Sequence, residues 1–144
     1  MIEKEKLKKF INFRIVGIIG SILLIISQFL SWFSGFTLLN IYSIYISFSL
    51  GESFLFLFPL ISGIVCALGT ILVFIKSEYK INAVIINFMG LGFFLLFIFE
   101  IVTKDSPYIG NAQIGFYFAI IGAILVFFDV LNILMQEINN NKKV

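Results

Sequence analysis

The chain of 144 residues is too apolar to fold as a soluble domain. Hydrophobic residues make up 60% of it and charged residues only 12%, and the mean hydropathy is +1.10. A net charge of +2 is too small to indicate nucleic-acid binding. One cysteine and no histidine exclude an intramolecular disulfide, imidazole-bound metal or haem, and histidine-based acid–base catalysis. Composition therefore predicts an integral membrane protein without enzymatic activity, cofactor or metal.

Four apolar segments predict four transmembrane helices. They cover residues 15–33, 54–75, 81–102 and 114–134. Each has about 20 residues, which at about 1.5 Å per residue matches a hydrocarbon layer of about 30 Å. We expect a single all-α membrane domain, residues 1–144, folded as an antiparallel bundle of four transmembrane helices.

Positive charges flank these segments on one side of the membrane. The basic residues on that side are Lys4, Lys6, Lys8, Lys9, Arg14, Lys76, Lys80, Lys142 and Lys143. The two remaining connections carry only Glu52, Lys104 and Asp105 as charges. By the positive-inside rule, we expect a multi-pass protein of the plasma membrane with both termini in the cytoplasm. The amphipathic aromatics Trp32, Tyr45 and Tyr108 then lie near the outer interface.

The last apolar segment carries a row of small residues and one acid on a single helical face. The row is Gly115, Ala119, Gly122, Val126, Asp129 and Ile133, with Ala123 and Asn132 beside it. Small side chains allow helix backbones to approach closely in lipid. The matching small residues of the first two segments are Gly17, Ser21, Gly63 and Gly69. We expect these faces to pack the helices together.

Asp129 is the most informative polar residue, because a carboxyl group at membrane depth requires a partner or water. It lies about 8 Å inside the cytoplasmic end of the fourth segment, at the depth of Arg14 on the first. We predict an ion pair between Arg14 and Asp129, in an intramembrane polar cluster that Asn82, Asn87 and Asn132 complete. Two readings of Asp129 stay open here, a structural ion pair and a functional carboxylate.

Glu100 lies near the outer end of the third segment, with Lys104 one turn beyond it. This spacing predicts an ion pair at the outer interface.

The first outer connection, residues 34–53, has a mixed pattern. Apolar and polar residues alternate from Ile44 to Leu50, which predicts a strand on the membrane surface. The preceding residues, 36–42, either pair with this strand through a turn near Asn40 or form a short interfacial helix. The loop is thus expected to contain a short β-hairpin or an interfacial segment.

The end of the first segment reads Leu30-Ser31-Trp32-Phe33-Ser34-Gly35-Phe36. With the apolar loop and three further spans, it resembles small four-helix membrane proteins of prokaryotes, particularly archaea, although Ser31 replaces the proline often found there. The layout is also similar in outline to claudin-like tetraspan proteins, but this loop lacks their cysteine pair. The resemblance implies a fold and no activity.

Two functions fit these features. The first is a noncatalytic tetraspan protein that acts as a structural or accessory subunit, alone as a homo-oligomer or with other membrane subunits in the lipid bilayer. The alternative is a small channel, carrier or lipid-binding protein that uses the carboxylate of Asp129.

Overall fold

The computed structural model shows a mostly helical chain and describes the backbone of residues 2–104 and 110–141. Side chains are described for residues 15–76, 78–101, 103 and 110–139. The predicted position of Tyr108 and the side chains of Arg14 and Lys104 therefore lie outside the described residues.

Short strands, short helices and 3-10 turns connect the four long helices. In chain order they are α1 (Ile2–Ser27), β1 (Ser31–Phe33), β2 (Phe36–Thr37), α2 (Leu38–Tyr45), α3 (Leu50–Ser53), α4 (Phe58–Ile75), α5 (Lys80–Lys104) and α6 (Ile114–Asn141). Single 3-10 turns at Phe54–Leu57 and Ser77–Tyr79 lead into α4 and α5.

Three helical stretches are long and apolar enough to cross a membrane: Leu50–Ile75, Lys80–Ile101 and Ile114–Asn139. The apolar stretch of α1 with described side chains, Ile15–Ser27, is shorter. These helices support the membrane class and the all-α architecture expected from composition. α5 extends the predicted segment 81–102 by a residue or two at each end, and α6 extends 114–134 to Asn141.

The predicted outer end of the first helix is wrong, because α1 stops at Ser27 rather than Phe33. The Ser27 hydroxyl donates to the carbonyl oxygen of Leu24 at 2.6 Å. The next three amides, of residues 28–30, bond three residues back, in the tighter pattern of a helix end. Average hydropathy does not reveal this stop, since large apolar residues continue through Phe33 among the polar residues Gln28 and Ser31.

A short antiparallel hairpin follows α1. β1 pairs with β2 through a turn at Ser34 and Gly35, whose φ angles are 49° and 84°. Positive φ at two successive residues matches the right-handed twist of a tight hairpin, and glycine adopts it without steric cost. A short β-hairpin is therefore present, but its strands lie at residues 31–37 and not at the predicted residues 36–42 and 44–50.

The strand predicted from Ile44 to Leu50 is wrong. Residues 38–45 form α2, whose start is capped by Thr37: its hydroxyl oxygen accepts a hydrogen bond from the Asn40 amide at 3.2 Å. A helix bonds its own amides, whereas a strand at this place has no partner strand within the described chain. The structure is closer to the alternative of a short helix, which was expected at residues 36–42 and is found at residues 38–45.

Each long helix contacts two of the others. α1 packs on α4 and α6, and α5 packs on the same two helices. Leu24, Phe97 and Val126 are completely buried in this arrangement. The outward faces are equally apolar, with exposed residues such as Leu68, Leu95 and Phe128, as expected for helices surrounded by lipid. Few polar side chains are buried between the helices, and Asn87 and Asp129 are among them.

Candidate functional site

The closest helix approach lies between α1 and α6. A β-carbon added to Gly20 would lie 2.6 Å from the carbonyl oxygen of Gly122, and one added to Gly122 would lie 2.6 Å from that of Gly20. One turn closer to the N-terminus of α1, a β-carbon on Gly17 would overlap the carboxylate of Asp129. Small residues thus bring the two backbones together around a single acid.

Asp129 is completely buried. A β-carbon on Gly17 would lie 2.7 Å from its carboxyl carbon, so the acid fills the space that a side chain at position 17 would need. The neighbouring Ser21 hydroxyl donates back to the Gly17 carbonyl oxygen at 2.8 Å. The carboxylate therefore sits in a closely packed helix interface.

The predicted partner of Asp129 is Arg14, whose side chain lies outside the described residues. Its backbone belongs to α1, one turn before Gly17 and about 4.5 Å further along the axis. A residue one turn from Gly17 on the same face lies within arginine reach of the acid. The ion pair stays a prediction, and this backbone position is consistent with it.

A second buried polar residue, Asn87, lies between α4 and α5. A β-carbon on Gly69 would lie 2.5 Å from Asn87 Oδ1, and the Cys66 thiol donates to the Asn87 carbonyl oxygen at 3.7 Å. Asn87 is completely buried, and its side-chain amide has no hydrogen-bond partner among the described residues. This amide is therefore held by packing on glycine rather than by polar contacts.

Asn87 and Asp129 lie at similar distances along their helices from a salt bridge between α5 and α6. The Lys80 ammonium and the Glu137 carboxylate form this bridge at 3.9 Å. Seven residues of α5 separate Lys80 from Asn87, and eight of α6 separate Glu137 from Asp129. At about 1.5 Å per residue, both lie about 10–12 Å above the salt bridge.

The remaining members of the predicted polar cluster lie elsewhere. Asn82 is exposed on α5, and Asn132 is half-buried beside the Asp129 face. The structure thus distributes the cluster over two helix interfaces, one with Asp129 and one with Asn87.

The predicted packing residues are placed on interior faces. Those with buried positions are Gly17, Ser21, Gly63, Gly69, Gly115, Ala119 and Gly122, while Ala123 is half-buried.

The outer end of the core is closed by Trp32, which sequence reasoning placed at the lipid interface. Its side chain is completely buried, and the indole nitrogen donates to the Ser27 carbonyl oxygen at 2.6 Å. Its ring meets the rings of Phe97 and Phe116 edge to face, at 5.3 and 5.8 Å. A β-carbon on Gly115 would lie 2.5 Å from the indole. The tryptophan is therefore part of the helix packing.

A groove opens between α2 and the outer ends of the long helices, and we call it the outer groove. It has two lobes of about 270 Å³ each, which share the walls Tyr45, Phe56 and Ile101. The apolar lobe is completed by Phe33, Ser34, Phe36, Ile41 and Ile44. The acidic lobe is completed by Gly51, Glu52, Leu55 and Glu100.

The acidic lobe brings together two acids that lie far apart in the sequence. Glu52 on α3 is exposed and Glu100 on α5 is half-buried, and both line the same space. The ion pair predicted between Glu100 and Lys104 rests on a lysine side chain outside the described residues. Sequence reasoning did not pair Glu52 with Glu100, because their proximity depends on how the outer loop folds back.

Comparison with family models, curated proteins and solved structures finds no match to this chain. Within the described residues, no three histidine, cysteine, aspartate or glutamate side chains gather in a group able to hold a metal ion. Function therefore has to be argued from the buried acid, the helix surfaces and the outer groove.

Proposed function

We propose that the protein is a noncatalytic subunit of a membrane assembly, built as an antiparallel bundle of four transmembrane helices. In this proposal α1 crosses the membrane in addition to the three apolar helices α4, α5 and α6. Both termini face the cytoplasm at the plasma membrane. The partners are further copies of this chain or other membrane subunits, within the lipid bilayer.

The outward face of α1 supports its role as a span. Ile15, Ile19, Ile22 and Ile26 recur every three or four residues, and all four are exposed. An apolar stripe on the outside of a helix that packs on α4 and α6 is the pattern of a lipid-facing surface. The first half of α1 is charged, with four lysines and two glutamates before Arg14, so the proposed span is the apolar run that begins at Ile15 and continues beyond the helix end at Ser27 to Phe33.

Gly92 on α5 is the observation that carries the assembly proposal. Every other glycine of the four long helices would bring an added β-carbon within 3.0 Å of a neighbouring atom, whereas one on Gly92 meets nothing within 4 Å. Glycine within a helix costs about 1 kcal/mol relative to alanine. Packing inside this chain does not account for that cost, but a close helix contact with another subunit does.

The surroundings of Gly92 fit such a contact. Met89, Leu96 and Phe99 are strongly exposed on the same helix, at relative exposures of 59%, 59% and 67%. They place large apolar side chains around a small central residue. A partner helix that approaches closely at Gly92 would bury them.

Asp129 supports an architectural role over transport. Its side chain is completely buried against Gly17, one turn from the close backbone contact at Gly20. A carrier or channel that uses this carboxylate needs water or a permeant ion beside it. The close packing favours a structural role for Asp129, which holds α1 and α6 together.

The experiment compares two substitutions at the same site. Gly92→Ala keeps a small residue and is expected to retain association, whereas Gly92→Leu fills the space and is expected to weaken it by about tenfold or more. Association is measured for the full chain in lipid nanodiscs, by single-molecule photobleaching for self-association and by mass spectrometry of copurified subunits.

Equal association of the two variants, or a wild-type chain that is monomeric and without partners, would overturn the assembly proposal. Ion or solute flux in proteoliposomes that disappears in Asp129→Asn would instead establish the transport alternative.

A further inference from the structure

The outer groove combines an apolar lobe with an aromatic and acidic one. The shared wall contains the rings of Tyr45 and Phe56, whose centroids lie 5.2 Å apart in a tilted arrangement with an interplanar angle of 48°. Glu52 and Glu100 lie on the acidic side of this pair, and Phe33 and Phe36 lie on the apolar side. Among the described residues, the walls of the groove therefore change along its length from apolar side chains to two acidic ones.

An apolar lobe beside an aromatic and acidic lobe is complementary to one class of ligand. Aromatic faces attract cations through their π electrons, and quaternary ammonium groups are recognised by such faces. Carboxylates beside the rings add attraction for a positive charge and repel an anion. Ligand sites are typically apolar clefts in which a few polar groups fix the orientation.

We infer that the outer groove binds a cationic amphiphile of the alkylammonium class. The ammonium group lies in the acidic lobe, between the Tyr45 and Phe56 rings and the carboxylates of Glu52 and Glu100. The hydrocarbon chain lies in the apolar lobe against Phe33 and Phe36. This inference is independent of the proposed assembly, because the groove lies at the outer end and Gly92 lies on the lipid-facing side of α5.

Trp32 provides a direct readout. It is the only tryptophan in the chain, and its ring lies 6.0 Å from that of Phe33, which lines the apolar lobe. A dodecyltrimethylammonium probe with bromine atoms on its chain should therefore quench the Trp32 fluorescence when bound. The full chain is placed in nanodiscs of an uncharged glycolipid, so that the bilayer itself does not attract the cation.

The same brominated chain is attached to maltose and to sulfate as neutral and anionic comparison probes. The ammonium probe is expected to reach half-maximal quenching at about tenfold lower concentration than the maltoside, with the sulfate weakest. Combining Glu52→Gln with Glu100→Gln should reduce this preference to about twofold and leave the maltoside midpoint unchanged.

Two further variants keep the result interpretable. Glu78→Gln makes the same charge change on an exposed residue of the α4–α5 turn, away from the groove, and should leave the preference intact. Glu52→Gln alone changes an exposed side chain, so it should preserve the fold and still weaken the preference.

Equal quenching midpoints for the three probes would show that the groove binds any acyl chain regardless of its headgroup, and would overturn the inference. Quenching that never saturates, or a preference that survives both glutamine substitutions, would also overturn it.

Discussion

Gly20 and Gly122 meet backbone to backbone where α1 crosses α6. A β-carbon on either residue would lie 2.6 Å from the carbonyl oxygen of the other. Since the obstructing atoms are main chain, they cannot rotate away, and the helices would have to separate. Gly20 and Gly122 are therefore both required by this crossing.

The first prediction concerns Gly122→Ala, which should lower the free energy of unfolding by about 1–3 kcal/mol, because it overpacks a backbone contact. Unfolding by sodium dodecyl sulfate in mixed micelles, followed by circular dichroism, measures this change. Gly92→Ala is the matched control: it meets no neighbour and should be neutral or stabilising by up to about 1 kcal/mol. Equal effects of the two substitutions would contradict the close crossing.

The predicted ion pair between Arg14 and Asp129 is tested by a double-mutant cycle. Arg14→Gln and Asp129→Asn should each destabilise the protein by about 3–5 kcal/mol, because each leaves a charge without its partner inside the membrane. The double variant should lose less than the sum, with a coupling energy of about 1–3 kcal/mol.

The bridge between Lys80 and Glu137 serves as the comparison for that cycle. Its side chains are 14% and 33% exposed, so the same cycle there should give a coupling of at most about 1 kcal/mol. Coupling near zero between Arg14 and Asp129 would show that the acid has another partner.

The third prediction concerns Asn87→Leu. Among the described residues its side-chain amide has no hydrogen-bond partner, so a leucine, which has the same branching but bulkier methyl groups, should be neutral or should stabilise the fold by up to about 1–3 kcal/mol. Asn82→Leu, on an exposed position of the same helix, controls for the general gain in apolar character. A clear loss of stability in Asn87→Leu alone would mean that this amide binds a polar group.

The fourth prediction is that Trp32→Phe destabilises the protein by about 1–3 kcal/mol. The substitution keeps an aromatic ring against Phe97 and Phe116 but removes the donor to the Ser27 carbonyl oxygen. Phe128→Leu, at an exposed aromatic position of α6, should change stability by no more than about 0.5 kcal/mol. Chemical unfolding of both variants under the same conditions provides the comparison, and equal values would reject a structural role for the indole.

Periodicity was sufficient to predict the interior face of α6. The row chosen at helical spacing, Gly115, Ala119, Gly122, Val126, Asp129 and Ile133, is buried throughout. This succeeds because a helix in lipid has few ways to bury small and polar residues other than against protein.

The outer end was not predictable in the same way. The alternation around Ile44 and Phe48 imitates a strand, but these residues sit at the exposed end of α2 and just beyond it, where Thr37 has already fixed a helix. Likewise, Glu52 meets Glu100 only because the outer loop folds back on α5. Local patterns contain no information about such contacts between distant parts of the chain.

The hairpin after α1 is held by residues that are synthesised much later. The Gln113 amide donates to the Trp32 carbonyl oxygen at 2.8 Å, its side-chain oxygen accepts from the Gly35 amide at 2.9 Å, and Phe33 bridges to Ala112. During translation, these contacts of the hairpin therefore form only after the residues that lead into α6 have been synthesised. Completion of the outer face is then a late step of membrane insertion, and a ribosome stalled before Gln113 should leave Trp32 accessible to lipid-soluble quenchers.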